Sequence, residues 1–432
     1  MKFHVIVKLR DELPGGLDLP DWQDFISDKS VIRERLVPDV DRILDEFALR
    51  FWVTREYRPA GETWSAEERA QGLNRTYRLI LQRDYATPAT LVDRIRHVPA
   101  VEDARGLQVG AAPLPALATQ ASVARKAGDL INLGYAKALT TGRSDVRVAV
   151  IDTGVDAGHP ELPRKVVGQA DFVELGDLDT AEFIGDKHGY DTVAEDEVGH
   201  GTHVAGIVAS RGARMDEGVV PDCSIVAVRV LATMRRDGRL FGAGIVDNIN
   251  PGIKYAVDEG RADVINMSLG IRNVGGGLPH ADVIRYALSR NVTVVAASGN
   301  DGTQERYYPG ALPGVCAVGA ADADGRVAGF TSYGAPITCL APGTDIYSSF
   351  AHGTYASASG TSQASPFVAG AVAAMKCFAK DNGARLRNDL IFEVLRHTSD
   401  KVDHRLRHQR AGYGLLNLAD AFKYLSHSLN LN

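Results

Sequence analysis

"VRVAVID" (146–152) is the stretch on which the fold turns. It is apolar at almost every position, rich in β-branched residues, and stops at an aspartate followed by Thr-Gly. A continuous apolar run of this length reads as a strand buried on both faces, and such strands belong to parallel sheets covered by helices. Three more runs downstream have the same character: "SIVAVRVL" (224–231), "ADVINMSLG" (262–270) and "VTVVAASGN" (292–300). Helical stretches alternate with them: "HGTHVAGIVAS" (200–210), "IVDNINPGIKYAVDEG" (245–260) and "HADVIRYALSRN" (280–291). The alternation predicts an α/β domain with three layers and a mostly parallel central sheet.

Upstream the grammar differs. "FHVIVKL" (3–9) alternates like a strand, and "FWVTREY" (51–57), "TYRLILQ" (76–82) and "VEDARGLQVG" (101–110) also read as strands. "VPDVDRILDEFALR" (37–50) and "ATLVDRIRHV" (89–98) have helical spacing. The order β-α-β-β-α-β predicts a small α+β, ferredoxin-like domain. Residues 10–35 and 58–74 are polar and read as loops or short helices. The Ala/Pro-rich "GAAPLPALATQ" (110–120) reads as a linker. The expected division is a first domain over 1–112, a linker over 113–124, and a second domain over 125–432.

The net charge of −6 is mild for 432 residues, which argues against a nucleic-acid partner. "MKFHVIVKLRDELPGG" lacks the long apolar core and small-residue cleavage site of a signal peptide, and no window is long enough to span a membrane. The four cysteines, Cys223, Cys316, Cys339 and Cys377, include no CxxC pair and read as buried free thiols of a reducing compartment. A cytoplasmic location is expected, with no membrane partner.

In a parallel sheet, functional groups gather at the C-terminal ends of strands. Asp152, Ser268 and Asn300 sit there, although each alone could be a turn or cap residue. "GHGTHVAG" (199–206) places His200 and His203 at a helix start. They could hold a metal, but the spacing differs from HExxH and the glutamate is missing. The other role is a general base, an imidazole fixed through its second nitrogen by a carboxylate such as Asp152. "SASGTSQASPFVAGAVAAM" (357–375) brings Ser359, Ser362 and Ser365 together at a helix start. Ser362 in the first turn would feel the positive helix end and lose its proton to a positioned base. Pro366 is expected within that first turn, where its missing N–H is harmless. The Ser362 N–H and the Asn300 side chain could both donate to a developing oxyanion.

"VAVIDTGVDAGHPEL", "GHGTHVAGIVAS" and "SGTSQASPFVAG", in that order, resemble the subtilisin-like serine peptidases, the subtilases. The Asp-His-Ser order of subtilisin is a standard example of the triad. "VINMSLG", "AASGN" and "GYGLLNLADA" (412–421) extend the resemblance over roughly 125–422. It implies Asp152 as orienting carboxylate, His200 as base, Asn300 as oxyanion donor and Ser362 as nucleophile. His203, Ser359 and Ser365 become structural. Gly242, Ala243 and Gly244 match an edge strand that pairs with extended substrate, and Ser268, Leu269 and Gly270 match the opposite wall. A peptide between these walls would add a strand.

The first domain resembles the subtilase propeptide, which assists folding and leaves its tail in the cleft as an intramolecular inhibitor. Self-cleavage is then expected somewhere in 110–124. The resemblance implies a serine endopeptidase acting on peptide or protein substrates, with no cofactor required. Two other classes stay in view: a peptide-binding scaffold held inactive by the first domain, and a metallohydrolase using His200 and His203.

The chain departs from the family pattern in four places. Gln363 stands where methionine usually follows the nucleophile. Tyr307 falls where many members have glycine at the base of the primary specificity pocket, which predicts a shallow pocket for small or unusual residues. The segment between Asp152 and His200 is long and acidic, with Asp171, Glu174, Asp177, Asp179, Glu182, Asp186, Asp191, Glu195, Asp196 and Glu197. It reads as a solvated loop, a calcium site, or a wall that selects basic peptides. Finally, "SRGARMDEG" (210–218) does not match the family's usual calcium loop.

Overall fold

The computed structural model describes residues 3–85, 87–112, 127–175, 182–187, 190–236, 238–273, 277–334 and 337–431. Strand β1 (His4–Leu9), helix α1 (Pro38–Glu46), β2 (Phe51–Arg55), β3 (Thr76–Leu81), α2 (Ala89–Arg96) and β4 (Val101–Gly106) follow the expected order. The sheet order is β2-β3-β1-β4, and every neighbouring pair is antiparallel. Val5, Val7 and Leu9 of β1 face one way, into a core shared with Val40, Leu44, Leu91 and Ile95 of the two helices. The alternate residues of β1 face the other way, as strand geometry requires. His4 and Lys8 are buried there as well, because that face docks on the rest of the chain.

The second region is built on a seven-stranded sheet. Its members are β6 (Arg147–Asp152), β7 (Val166–Asp171), β8 (Ser224–Arg229), β11 (Val264–Met267), β12 (Thr293–Ala297), β13 (Cys316–Ala321) and β14 (Ile337–Pro342). They lie in the order β14-β13-β12-β11-β6-β8-β7, and all six pairings are parallel. Two further strands, β9 (Ala232–Arg236) and β10 (Arg239–Ile245), form an antiparallel pair outside this sheet.

Helix α3 (His200–Ala209) and the long α6 (Thr361–Asp381) cover one face; α4 (Val246–Asp258) and α5 (Ala281–Ser289) cover the other. Alternation within each strand feeds both layers. Val148, Val150, Ile225 and Ala227 join the first core, while Ala149, Ile151, Val226 and Val228 join the second. Each large aliphatic side chain removed from water contributes about 1.5–3 kcal/mol. That is why the interior positions of the central strands are almost all apolar, Asn266 being the exception.

The first domain packs on α4 and α5. Trp22, Tyr57, Trp64 and Leu73 are continuous with the second core. Lys254 pairs with Glu68 at 2.5 Å, and Lys8 with Asp282 at 3.0 Å. Asp247 is the deepest tie: its carboxylate meets His4 Nε2 at 2.7 Å and Arg105 Nε at 3.0 Å, and its carbonyl accepts from Arg78 at 2.6 Å. The strand β5 (Val109–Ala112) then leaves the first domain and pairs antiparallel with β10. The linker reading over 113–124 lies outside the described residues. Over 110–112 it gives way to strand, because those residues find an open sheet edge.

All four cysteines are free and buried. Among the described residues no helix is long and apolar enough to cross a membrane.

Candidate active site

Asp152 is the last residue of β6 and is fully buried. His200 is the first residue of α3 and donates Nδ1–H to Asp152 Oδ1 at 2.7 Å. The strand end and the helix start close on each other because Gly201 has no side chain: a Cβ there would lie 2.0 Å from the Gly154 carbonyl oxygen. Thr153 reinforces the joint. Its N–H also donates to Asp152 Oδ1 (2.8 Å), and its hydroxyl accepts from Gly201 N–H (3.0 Å) while donating to Asp196 (2.8 Å).

Asp196 corrects the acidic-loop reading. It is buried and accepts from the N–H groups of Val198, Gly199 and Thr202 and from the Thr202 hydroxyl, at 2.7–3.1 Å. A carboxylate at the first turn satisfies orphan helix donors and complements the dipole. Asp171 is likewise committed, to Arg229. Asp177 and Asp179 lie outside the described residues.

Burial disfavours charge on His200, but the Asp152 carboxylate outweighs it and raises the imidazole above its ordinary range. His203 behaves differently. Burial pushes it down to about 4, and its Nε2 lies 3.1 Å from each of the Ile346 and Ala356 carbonyls. His200 and His203 thus face different partners, the Asp152 carboxylate for one and two backbone carbonyls for the other. Among the described residues no group of three or more His, Cys, Asp or Glu is placed to hold a metal.

Ser362 is the second residue of α6 and is 3% exposed. Its hydroxyl donates to the Ser268 carbonyl at 3.1 Å, and the His200 Nε2 has no hydrogen-bond partner. The Asp152–His200 half of the arrangement is therefore made and the Ser362–His200 half is not. Such hydrogen bonds are commonly long in unliganded sites and tighten in the complex.

Pro366 also differs from expectation. It lies inside α6 rather than in its first turn, so the carbonyl of Ser362 loses its i+4 N–H donor. The Ser268 hydroxyl donates to that carbonyl at 2.8 Å. Ser365 and Asn266 complete a buried polar cluster around Ser268, with bonds of 2.8–3.0 Å. Ser359 is held apart, accepting from Asp345 N–H.

Asn300 follows β12 at the mouth of the same pocket. Its Oδ1 accepts from both the N–H (2.8 Å) and the hydroxyl (2.9 Å) of Thr361, which leaves the Nδ2 donors for the pocket it lines. Thr361 was not singled out in the sequence; the only signal was its position directly before Ser362.

Ser268, Leu269, Gly270 and Tyr307 line this pocket with Ala297, Gly299, Asn300, Asp301, Thr361 and Ser362. Gly242, Ala243 and Gly244 lie on β10, paired with Ala112, Ala111 and Gly110 of the chain's own β5. A Cβ on Gly242 would lie 2.5 Å from the Thr153 side chain, so this end of β10 abuts the aspartate loop. Gly110 is at the far end, against Ile271. The tail of the first domain thus runs along the cleft toward Asp152 and His200.

The family's calcium loop has a different occupant. Glu161, in "HPEL", accepts from the N–H groups of Ala213 (2.8 Å) and Arg214 (2.6 Å), and from the hydroxyls of Ser210 and Tyr355 (both 3.0 Å). A carboxylate ringed by donors that present hydrogens does not fit a cation, which needs converging oxygen lone pairs.

The subtilase family model matches residues 143–414. The thermophilic serine proteinase of Bacillus sp. (strain AK1) is 37% identical over 292 residues, 67% of this chain and 65% of that protein. Thermitase of Thermoactinomyces vulgaris is 36% identical over 261 residues, 60% of this chain and 82% of the relative. The intracellular serine protease of Paenibacillus polymyxa is 37% identical over 246 residues, 56% of this chain and 69% of the relative. The chain belongs to the subtilase family, and its larger domain is that of a serine endopeptidase.

Proposed function

We propose that Ser362 is the nucleophile of this endopeptidase, His200 its general base, Asp152 the carboxylate that orients and charges the imidazole, and Asn300 an oxyanion donor. The observation that carries the assignment is the 2.7 Å bond from His200 to Asp152, which leaves His200 Nε2 unpartnered on a helix that packs against the one bearing Ser362. In the reaction His200 takes the Ser362 proton as Oγ attacks the scissile carbonyl. The oxyanion is met by Asn300 Nδ2 and the Ser362 N–H, and His200 returns the proton to the leaving amine. Water repeats the sequence on the acyl-enzyme. Substrates are peptides or proteins in extended form, added as a strand to β10.

The first domain acts as an intramolecular inhibitor and folding partner. Its tail occupies the edge that substrate would use, pairing residue for residue with Gly242, Ala243 and Gly244. Because β5 ends at Ala112 opposite Gly242, beside the Asp152 loop, the segment that follows in the sequence is the one expected to be cut. Self-cleavage in 112–124 is the expected consequence. The four free thiols and the intracellular relative in Paenibacillus polymyxa support action in the cytoplasm, where such restraint protects the host.

Intact-mass measurement of the wild type beside Ser362→Ala tests both points. Cleavage confined to 112–124 and absent in the variant is expected; one uncut mass for both chains refutes self-processing. A fluorophosphonate probe tests the nucleophile separately. Labelling that persists in Ser362→Ala would overturn its assignment.

A further inference from the structure

The pocket beside Ser362 is small, and the reason lies in three side chains. Two segments form its walls, Ser268–Gly270 and Ala297–Asp301. The Tyr307 ring lies between them. A Cβ on Gly299 would fall 2.4 Å from Tyr307 Cδ2, and one on Gly270 would fall 3.2 Å from Tyr307 Cβ. The ring therefore leans on both walls where only glycine leaves room. The remaining cavity is about 80 Å³. A cavity of roughly 150 Å³ is the scale that admits a benzene ring.

The ring is also fastened. Tyr307 and Arg272 are direct cross-strand partners in a short antiparallel pair. The Tyr307 hydroxyl donates to the Asp301 carboxylate and accepts from Arg272 Nε at 2.9 Å. Arg272 Nη2 closes the loop onto Asp301. An isolated exposed ion pair contributes little. Here the pair grips a third group, so freeing the ring breaks two hydrogen bonds together. The guanidinium is neutralised by Asp301, which leaves no net charge to recruit an acidic side chain.

We propose that Tyr307, fixed by Arg272 and Asp301, closes this pocket so that the peptidase cuts after glycine or alanine and rejects aromatic and branched aliphatic residues there. Tyr307 is the specificity-determining residue; Arg272 and Asp301 are positioning residues. The inference rests on the serine-peptidase reading above. It goes beyond a shallow pocket by naming the substrate class and the two residues that hold the pocket shut.

The test uses the purified chain and a set of peptides differing only at the residue before the cut. Fluorophosphonate labelling is run first. An unlabelled enzyme overturns the underlying reading, whereas a labelled enzyme isolates the question of the pocket. For the wild type, kcat/KM for Ala over Phe of at least 100-fold is expected, on the scale that a mismatched pocket achieves. Equal cutting after Phe or Leu overturns the proposal. In Tyr307→Gly the Phe-to-Ala ratio should rise at least tenfold; an unchanged ratio overturns it.

Asp301→Asn and Tyr307→Phe keep the ring and weaken its anchorage. They should raise cutting after Leu or Met relative to Ala, mainly through a lower KM for the larger residue. A general loss of activity without a change in that ratio marks the two contacts as merely structural and overturns their positioning role. These variants also decide the matter if Tyr307→Gly does not fold.

Discussion

Asp247→Asn should loosen the first domain from the second while leaving each folded. The carboxylate is buried between two groups of the first domain, the His4 imidazole at 2.7 Å and the Arg105 guanidinium at 3.0 Å. Burial alone would oppose its charge, but Arg105 and His4 outweigh that and hold it well below the usual carboxylate range. Asparagine keeps the shape and one acceptor but removes the charge that faces the partly buried Arg105. Breaking one side of a buried pair costs about 3–5 kcal/mol. The retained acceptor argues for the lower end, about 3 kcal/mol, and each 1.4 kcal/mol is tenfold in population. Undocking should therefore rise about 100-fold. Ser362→Ala holds the chain uncut, and amide exchange in Val109–Ala112 and its partners on β10 reads the undocked fraction. Acceleration near 100-fold at β5 and β10, with Val148–Ile151 unchanged, is expected. Acceleration below tenfold would refute the latch. Equal acceleration in the central sheet would show that Asp247 stabilises the whole fold instead.

Three other outcomes follow from the site. Both amide atoms of Gln363 are buried without a partner, and such groups cost about 1–3 kcal/mol each. Gln363→Met should raise the melting temperature and make activity sensitive to peroxide; a lower melting temperature would contradict the reading. Because Glu161 is satisfied by N–H and O–H donors, thermal unfolding should not shift with chelator, and calcium should not rescue Glu161→Gln. A fall in melting temperature on chelation would show a cation at work. His200 acts as a base only when neutral, and Asp152 raises it against the effect of burial. The probe-labelling rate should therefore fall as pH drops through a point above 6.5, the ordinary histidine value. In Asp152→Asn that limb should move to lower pH; an unmoved limb would mean that another group titrates.

The central strands were legible because their residues are apolar on both faces, as burial between two helical layers demands. β7, β13 and β14 were not. "VVGQAD", "CAVGAA" and "ITCLAP" interrupt their apolar residues with glycine, alanine, proline or polar residues, which have no strong strand preference. Tertiary packing supplied what propensity did not. Asp196 was read among surface acids because nothing local distinguishes it. Its five hydrogen bonds come from Thr153 and from residues two to six positions onward, and they form only when the β6 end meets the helix. Pro366 was placed one turn too early because the first helical residue, Thr361, is fixed by its contact with Asn300.

By itself the sequence pointed to the two fold classes, to the order of the most apolar strands and the helices between them, and to Asp152, His200, Asn300 and Ser362 as candidate site residues. Periodicity and strand-end position are local properties, and a run of residues carries them without reference to the rest of the chain. Only the tertiary structure decided which groups meet. It set the Ser362 hydroxyl on the Ser268 carbonyl, buried the polar face of β1 against α4, and laid residues 109–112 along the edge of β10. Those contacts join residues from about 90 to more than 240 positions apart. No local pattern encodes them, because each depends on two surfaces being complementary only after both have folded.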